Sequence, residues 1–333
     1  MSAVHSERAL PVALTEGEPA GIGPELAAKA WQTLGASLPF FWIGDPRHLP
    51  NGCPVVEIAS PAQASQAASR GLPVLVHEFP RPATPGRPAP ENAPHVIAVI
   101  RQAVELVQAG QAAAVTTLPI SKAALIEGAG FAYPGHTEYL AALAEVERVV
   151  MMLASPMLRV VPATIHIPLR TVAQALTEEL LEGVLRVTHA ALRADFGVER
   201  PRIAVAGLNP HAGEGGMMGD EEARLIAPVL ERLRGEGMSI AGPLPADTMF
   251  HARARAGYDA AVAMYHDQAL IPLKTLDFEG GVNVTLGLPF VRTSPDHGTA
   301  FDIAGQGLAD VTSTVNALRL AAEMAARRRR AGW

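Results

Sequence analysis

The 333 residues are 49% apolar and 18% charged, with a net charge of −6 and no long basic stripe, so sizeable buried cores are expected and a nucleic-acid partner is not. The length exceeds one compact α/β layer and predicts two lobes, since domains usually run about 100–150 residues. The single cysteine, Cys53, excludes an internal disulfide and suits a reducing, cytoplasmic setting, and no run of about 18 uncharged apolar residues predicts a membrane span.

Residues 1–8 form a polar leader without the apolar core of a signal peptide. A short buried strand is predicted at 11–14. It runs into Gly-Glu-Pro-Ala-Gly-Ile-Gly-Pro-Glu at 17–25, whose glycines permit tight turns, and Pro24 suits the first turn of a helix over 25–34. The glycine spacing is not Gly-x-Gly-x-x-Gly, and no acidic residue follows the second strand at the expected place, so a standard Rossmann site is disfavoured. A strand at 40–43 follows, and then a proline-rich excursion at 80–94, read as a lid or arm. Residues 95–108 are predicted helical, with Val96, Val99, Ile100, Ala103, Val104 and Val107 on one face. A strand at 112–116 leads to Lys122, which is placed either to reach a ligand or to be solvated.

Tyr-Pro-Gly-His-Thr-Glu occupies 133–138. Thr137 is expected to cap a helix starting near Glu138, which puts His136 and Thr137 at a helix N-terminus, as a plain cap or as an anion site. Strands are predicted at 149–153 and 159–165, the second ending at His166. Thr177 should cap a helix reaching about 194. A strand at 203–206 ends in Gly-Leu-Asn-Pro-His-Ala-Gly-Glu-Gly-Gly at 207–216. Asp220 should cap the next helix, which Pro228 starts or kinks, and 242–248 reads as a loop. An apolar run at 260–264 stops at His266 and Asp267. A second, at 282–286, carries Asn283 and leads to Arg292, Asp296 and His297. A long helix at 311–330 ends in four arginines, which complement its dipole. The alternation of strands and helices predicts a two-lobed α/β/α architecture with a mostly parallel sheet. The predicted lobes are 1–130 with 275–333, and 131–274.

Two groups of residues carry chemistry. His166, His211 and His266 each lie near the end of an apolar strand candidate, and strand ends in a parallel sheet share one side. Three imidazoles with an open position suit a catalytic divalent metal; buried or exposed structural histidines are the competing reading, and His297 is a further candidate. Asp247 and Asp267 would orient such ligands or bind metal directly. Lys274, Asn283 and Arg292 form a cationic and amide set suited to phosphate or carboxylate; a surface lysine and an arginine in an ion pair read equally well.

The motifs at 17–25, 134–138, 207–216, 263–268 and 287–299 together resemble the 4-hydroxythreonine-4-phosphate dehydrogenase family of vitamin B6 biosynthesis, in order over roughly residues 10 to 325. The first motif is also similar to isocitrate and isopropylmalate dehydrogenases, whose two-lobed fold the family shares. The resemblance implies that His166, His211 and His266 hold zinc, magnesium or cobalt, with one ligand from a partner subunit. It implies that His136, Thr137, Lys274, Asn283 and Arg292 contact a small phosphorylated substrate. It also implies a homodimer with the active site in the interlobe cleft at the dimer interface, and NAD or NADP as hydride acceptor, at residues the sequence does not identify. The implied reaction oxidises 4-phosphooxy-L-threonine at C3, with the metal lowering the hydroxyl pKa, to a β-keto acid that loses carbon dioxide. Asp247, Asp267 and Lys122 are equal candidates for the proton acceptor. A sibling dehydrogenase for another four-carbon phosphorylated hydroxy acid, or a non-catalytic phospho-ligand binding protein, are the alternatives. Pro295 stands where the family more usually has a small or aliphatic residue.

Overall fold

The computed structural model describes residues 9–332; the polar leader at 1–8 lies outside the described residues. In chain order the strands are β1 (Val12–Thr15), β2 (Phe40–Gly44), β3 (Val55–Glu57), β4 (Leu72–Val76), β5 (Val115–Thr117), β6 (Val150–Ala154), β7 (Arg159–Thr164), β8 (Arg202–Ala206), β9 (Ser239–Leu244), β10 (Ala260–Tyr265), β11 (Val282–Leu286) and β12 (Arg292–Pro295). The chain divides into a first unit, up to Ala144 together with Pro289–Arg330, and a second unit, Glu145–Leu288. The boundaries therefore fall 14 residues beyond those expected, by the differences 144 − 130 and 288 − 274. Packing explains both shifts. Tyr139 stacks on Phe131 and Tyr133 and donates to the Ile97 carbonyl at 3.4 Å, which keeps the helix His136–Leu143 in the first unit. The antiparallel pairing of β11 with β6 keeps β11 in the second.

In the first unit the strand order is β3-β4-β2-β1-β5-β12, and every pair is parallel. Parallel strands covered on both faces read as continuous apolar runs. Phe40, Phe41, Trp42 and Ile43 do so and are buried. The chain leaves β1 toward β2 on one side and later returns to β5 on the other, so β1 and β5 flank a topological switch point. The loops after these two strands are bonded together: Glu18 N–H donates to the Pro119 carbonyl at 2.8 Å. Gly17 has φ +72°, and a Cβ there would lie 2.4 Å from the Pro119 oxygen, so only glycine fits this crossing. The proline-rich segment is a docked arm. Arg81 and Asn92 exchange two hydrogen bonds across its neck, and Gly86 N–H donates to the Ala20 carbonyl of the glycine-rich loop at 2.8 Å.

In the second unit the order is β11-β6-β7-β10-β8-β9. β7, β10, β8 and β9 are parallel, and β6 runs antiparallel to both neighbours. Small residues on β8 and β10 (Ala204, Ala206, Ala261, Ala263) let Leu270, Leu273 and Met249 pack closely on the sheet. The helix Glu178–Ala194 follows its sequence signals. Thr177 Oγ1 accepts from Leu180 N–H at 3.1 Å, and Leu181, Val184, Leu185, Thr188 and Leu192 face inward.

Three local expectations are corrected, and one helix that the sequence did not mark is added. Residues 242–244 continue β9 rather than starting a loop; β9 is an edge strand, where proline is tolerated. His266–Leu276 is a helix that Pro272, in its interior, hid from periodicity. Gly135, not a residue at 137, is the N-cap of His136–Leu143, so Thr137 sits inside its first turn. Asp220 caps nothing: a wide turn over Glu222–Ile226 has Glu221 as its N-cap, and Pro228 lies at the start of the α-helix that follows.

Candidate active site

The first unit builds a buried polar corner. Arg292 opens β12, opposite Val115 of β5, and is only 3% exposed. Its Nη2 donates to Thr117 Oγ1 at 2.6 Å. Burial lowers the guanidinium pKa to about 10, and the charge of Glu138 offsets part of that, so the group is still a cation at neutral pH. His136, the first residue of its helix, is held well below the ordinary imidazole pKa, first by burial and then by the Arg292 charge. It is therefore neutral. Its Nε2 is shielded from solvent and has no hydrogen-bond partner among the described residues. Buried polar atoms are normally paired, so an orphaned one points to a ligand. Gly135 supplies no side-chain cap, which leaves first-turn N–H groups of this helix to meet an anion. Thr137 lies in that same turn. Thr117, which holds the Arg292 fork, was not singled out from sequence; its place at the end of β5 was the available signal.

The second unit holds the other substrate-side candidates, Asn283 and Lys274. Asn283 sits on β11, and its Oδ1 is also buried without a partner among the described residues. Lys274 occupies the last turn of His266–Leu276, with Nζ 5.4 Å from the centre of the Phe278 ring.

The three histidines follow three neighbouring parallel strands, β7, β10 and β8, so their turns leave the same edge of the sheet. His166 comes two residues after β7, His266 directly after β10, and His211 in the glycine-rich turn after β8. The His166 and His266 rings lie 5.8 Å apart between centroids. Two imidazoles on one zinc, each at about 2.0–2.1 Å, place their rings roughly this far apart. His266 Nδ1 donates to Asp267 Oδ1 at 2.7 Å, which fixes the tautomer and leaves Nε2 as the lone-pair donor. His166 (φ 50°) and His211 (φ 52°) both adopt the left-handed region that non-glycine residues rarely occupy. Both are exposed. Among the described residues, no three His, Cys, Asp or Glu side chains of the chain gather closely enough to hold a metal ion. One chain thus offers the His166–His266 pair, with the Asp267 carboxylate ordering His266, and His211 in a turn that follows a neighbouring strand of the same sheet. The donor set fits a divalent metal completed by a further ligand.

Asp267 is thereby an orienting group for His266. Asp247 is exposed and shares with Asp267, Tyr265 and Gln268 the lining of a cavity of about 450 Å³. Lys122 is exposed at the start of the helix Lys122–Ala129. His297 belongs to the first unit; its Nδ1 donates to the Gly298 carbonyl at 3.2 Å, and its buried Nε2 has no partner among the described residues. A second group missed from sequence is the buried pair Glu16–His48, 2.5 Å apart, beside a cavity of about 700 Å³ that Lys29, Arg47 and Pro85 help to line. Cys53 also lines this cavity.

Among the described residues no helix is long and apolar enough to cross a membrane. The family described as pyridoxal phosphate biosynthetic protein PdxA matches residues 38–321. A 4-hydroxythreonine-4-phosphate dehydrogenase of Paracoccus denitrificans is 63% identical, over 96% of this chain and 99% of its own. The crystal structure of the enzyme of that name from Klebsiella pneumoniae superimposes with a TM-score of 0.87 at 40% identity, covering 95% of this chain and 99% of its own. A terephthalate 1,2-cis-dihydrodiol dehydrogenase from Burkholderia xenovorans is more distant, with a TM-score of 0.67 at 30% identity, covering 95% of this chain and 98% of its own. With the glycine-rich loop, the histidine turns and the buried arginine in place, and matches spanning nearly its whole length, the chain belongs to the PdxA family of pyridoxal phosphate biosynthetic proteins.

Proposed function

We propose that the chain is a metal-dependent dehydrogenase that oxidises 4-phosphooxy-L-threonine with NAD or NADP. The product, 2-amino-3-oxo-4-phosphooxybutanoate, is a β-keto acid and loses carbon dioxide to give 3-amino-2-oxopropyl phosphate. The observation that carries this reading is the corner in which a buried Arg292 cation stands beside a neutral His136 with an orphaned Nε2. A buried fork of this kind suits a phosphate dianion or a carboxylate. The high-identity relatives named for the phosphorylated substrate favour phosphate as its partner.

The chain's own groups divide the work. Arg292, positioned by Thr117, and the first turn carrying His136 and Thr137 bind the phosphate and fix its distance from the reacting carbon. Neutral His136 exchanges a hydrogen bond with a substrate oxygen without adding repulsion to the nearby cation. Lys274 and Asn283 contribute a point charge and an amide to the same ligand. His166, His211 and His266 hold one zinc, magnesium or cobalt ion, shared across a homodimer with one ligand from the second copy, and Asp267 keeps His266 in the ligating tautomer. When bound, that ion supplies Lewis-acid activation of the substrate hydroxyl, and the nicotinamide supplies the hydride acceptor. Asp247 and Lys122, both exposed, and Asp267 are the candidate proton acceptors.

The test is turnover by purified, metal-supplemented protein with the phosphorylated substrate and with its dephosphorylated analogue. A marked preference for the phosphorylated form is expected, and equal rates would contradict the role given to Arg292.

A further inference from the structure

The turns that carry the three histidines are laced together by side chains with no chemistry of their own. Thr164, the last residue of β7, donates from Oγ1 to the Met264 carbonyl on β10 at 2.7 Å, in a buried setting. Met264 N–H donates to Gln268 Oε1 at 2.7 Å. Gln268 Nε2 donates in turn to the Gly207 carbonyl, at the exit of β8, at 2.8 Å. The β8–β10 ladder pairs Ala260–Val262 with Ile203–Val205 and is not continued at Met264. Beyond its end, the Gln268 amide does what another peptide group would do, taking one bond and giving one. Further along the β8 exit, Glu222 accepts from Asn209 N–H at 2.7 Å and from its side-chain amide at 3.1 Å. A Cβ on Gly207 or Gly213 would lie 3.0 Å or 2.7 Å from the Glu222 carboxylate, so these glycines make room for that clasp.

We propose that Gln268 is a positioning residue that sets the His266 turn against the His211 turn, with Thr164 doing the same between His166 and His266. This rests on the reading of these histidines as metal ligands. The spacing supports it: Thr164 is two residues from His166, Met264 and Gln268 are each two residues from His266, and Gly207 is four from His211. The chemistry at 268 is specific to an amide. A carboxylate of the same shape accepts from Met264 N–H but has nothing to donate to Gly207, and would set two acceptors face to face. Exposed histidines on left-handed backbone have little else to hold their direction, so the lace is where ligand geometry is stored.

The test compares zinc affinity, by equilibrium dialysis with metal analysis, and the melting temperature of the metal-free protein, for wild type, Gln268→Glu, Gln268→Leu and His211→Ala. Wild type should bind zinc in a His211-dependent way. Gln268→Glu and Gln268→Leu should each weaken it about 10–100-fold, as expected for a lost outer-shell partner. The metal-free melting temperature should fall by only a few degrees, too little to explain that loss. Unchanged zinc affinity in both Gln268 variants overturns the proposal while leaving the metal site standing. Zinc binding by wild type that His211→Ala does not alter overturns the ligand assignment, and the positioning role with it. Should Gln268→Glu fail to fold, Thr164→Val breaks only the Thr164–Met264 bond and carries the same expectation, and unaltered affinity there also counts as refutation.

Discussion

The two units treat their polar groups in opposite ways. In the first, Arg292 and the Nε2 atom of His136 are sealed from water, and burial dominates the shifts in both side chains. In the second, His166 and His211 stand exposed on left-handed backbone, and His266 is tied by a carboxylate that is itself 71% exposed. Under the proposed function, the contrast separates two kinds of readiness. A corner that must hold a doubly charged group is desolvated in advance, so its electrostatics act at full strength. A ligand set that must accept a cation keeps its lone pairs accessible and stores its geometry in the backbone and in neighbouring hydrogen bonds.

The sharpest way to break this comparison is on the exposed side. His166→Ala or His211→Ala should reduce turnover by at least about 10³-fold with the circular-dichroism spectrum unchanged, because several kcal/mol of activation are lost but little packing is; near-normal activity would remove the metal from the account. On the buried side, Arg292→Ala should lower kcat/KM for the phosphorylated substrate by about 10²–10³-fold, in line with about 3–4 kcal/mol for an unpaired buried charge. The dephosphorylated analogue should be much less affected, and equal losses would place Arg292 in the structure rather than in recognition. Asp267→Asn should weaken metal binding about 10–100-fold by releasing the His266 tautomer, measured by competition with a chromophoric chelator.

A smaller effect tests burial itself, at Glu16 and His48. Burial pushes the Glu16 carboxyl up to about 7, against the opposing pull of His48. Burial lowers His48, but the Glu16 hydrogen bond and charge lift it to a net value above its ordinary one. Both groups therefore bind protons more tightly folded than unfolded. The Glu16 contribution to stability is present below about pH 4.5 and is lost as pH rises through about 7, and that of His48 is lost only as pH rises above 6.5. His136 has the opposite sign: its depressed pKa costs stability as pH falls below 6.5. The difference in denaturant midpoint between wild type and Glu16→Gln, followed from pH 4.5 to 7, isolates the first slope. A difference independent of pH would contradict the raised pKa of Glu16.

Much of this was legible along the chain, because the elements that bear on the site carry strong local signals. The apolar runs of β1, β2, β8 and β10 and the Thr177 cap gave fold class and strand ends, and strand ends put three histidines on one edge. β9 and the helix His266–Leu276 were hidden, since a proline in each breaks the period that periodicity reads. Thr137 was read as a cap because side-chain chemistry favours it, yet the extended Gly135 took that place. The unit boundaries shifted because pairing of β11 with β6 and stacking around Tyr139 are long-range contacts with no local mark. Gln268 and Glu222 were invisible for the same reason: each acts on backbone 61 and 13 residues away.

The most direct measurement is a turnover assay on metal-supplemented protein with 4-phosphooxy-L-threonine and NAD or NADP, following the near-ultraviolet absorbance of reduced nicotinamide together with carbon dioxide release. The account predicts that both appear in step with the phosphorylated substrate, and that both vanish when chelator removes the metal. Failure to reduce either cofactor, in protein whose histidines are shown to carry a divalent ion, would contradict it.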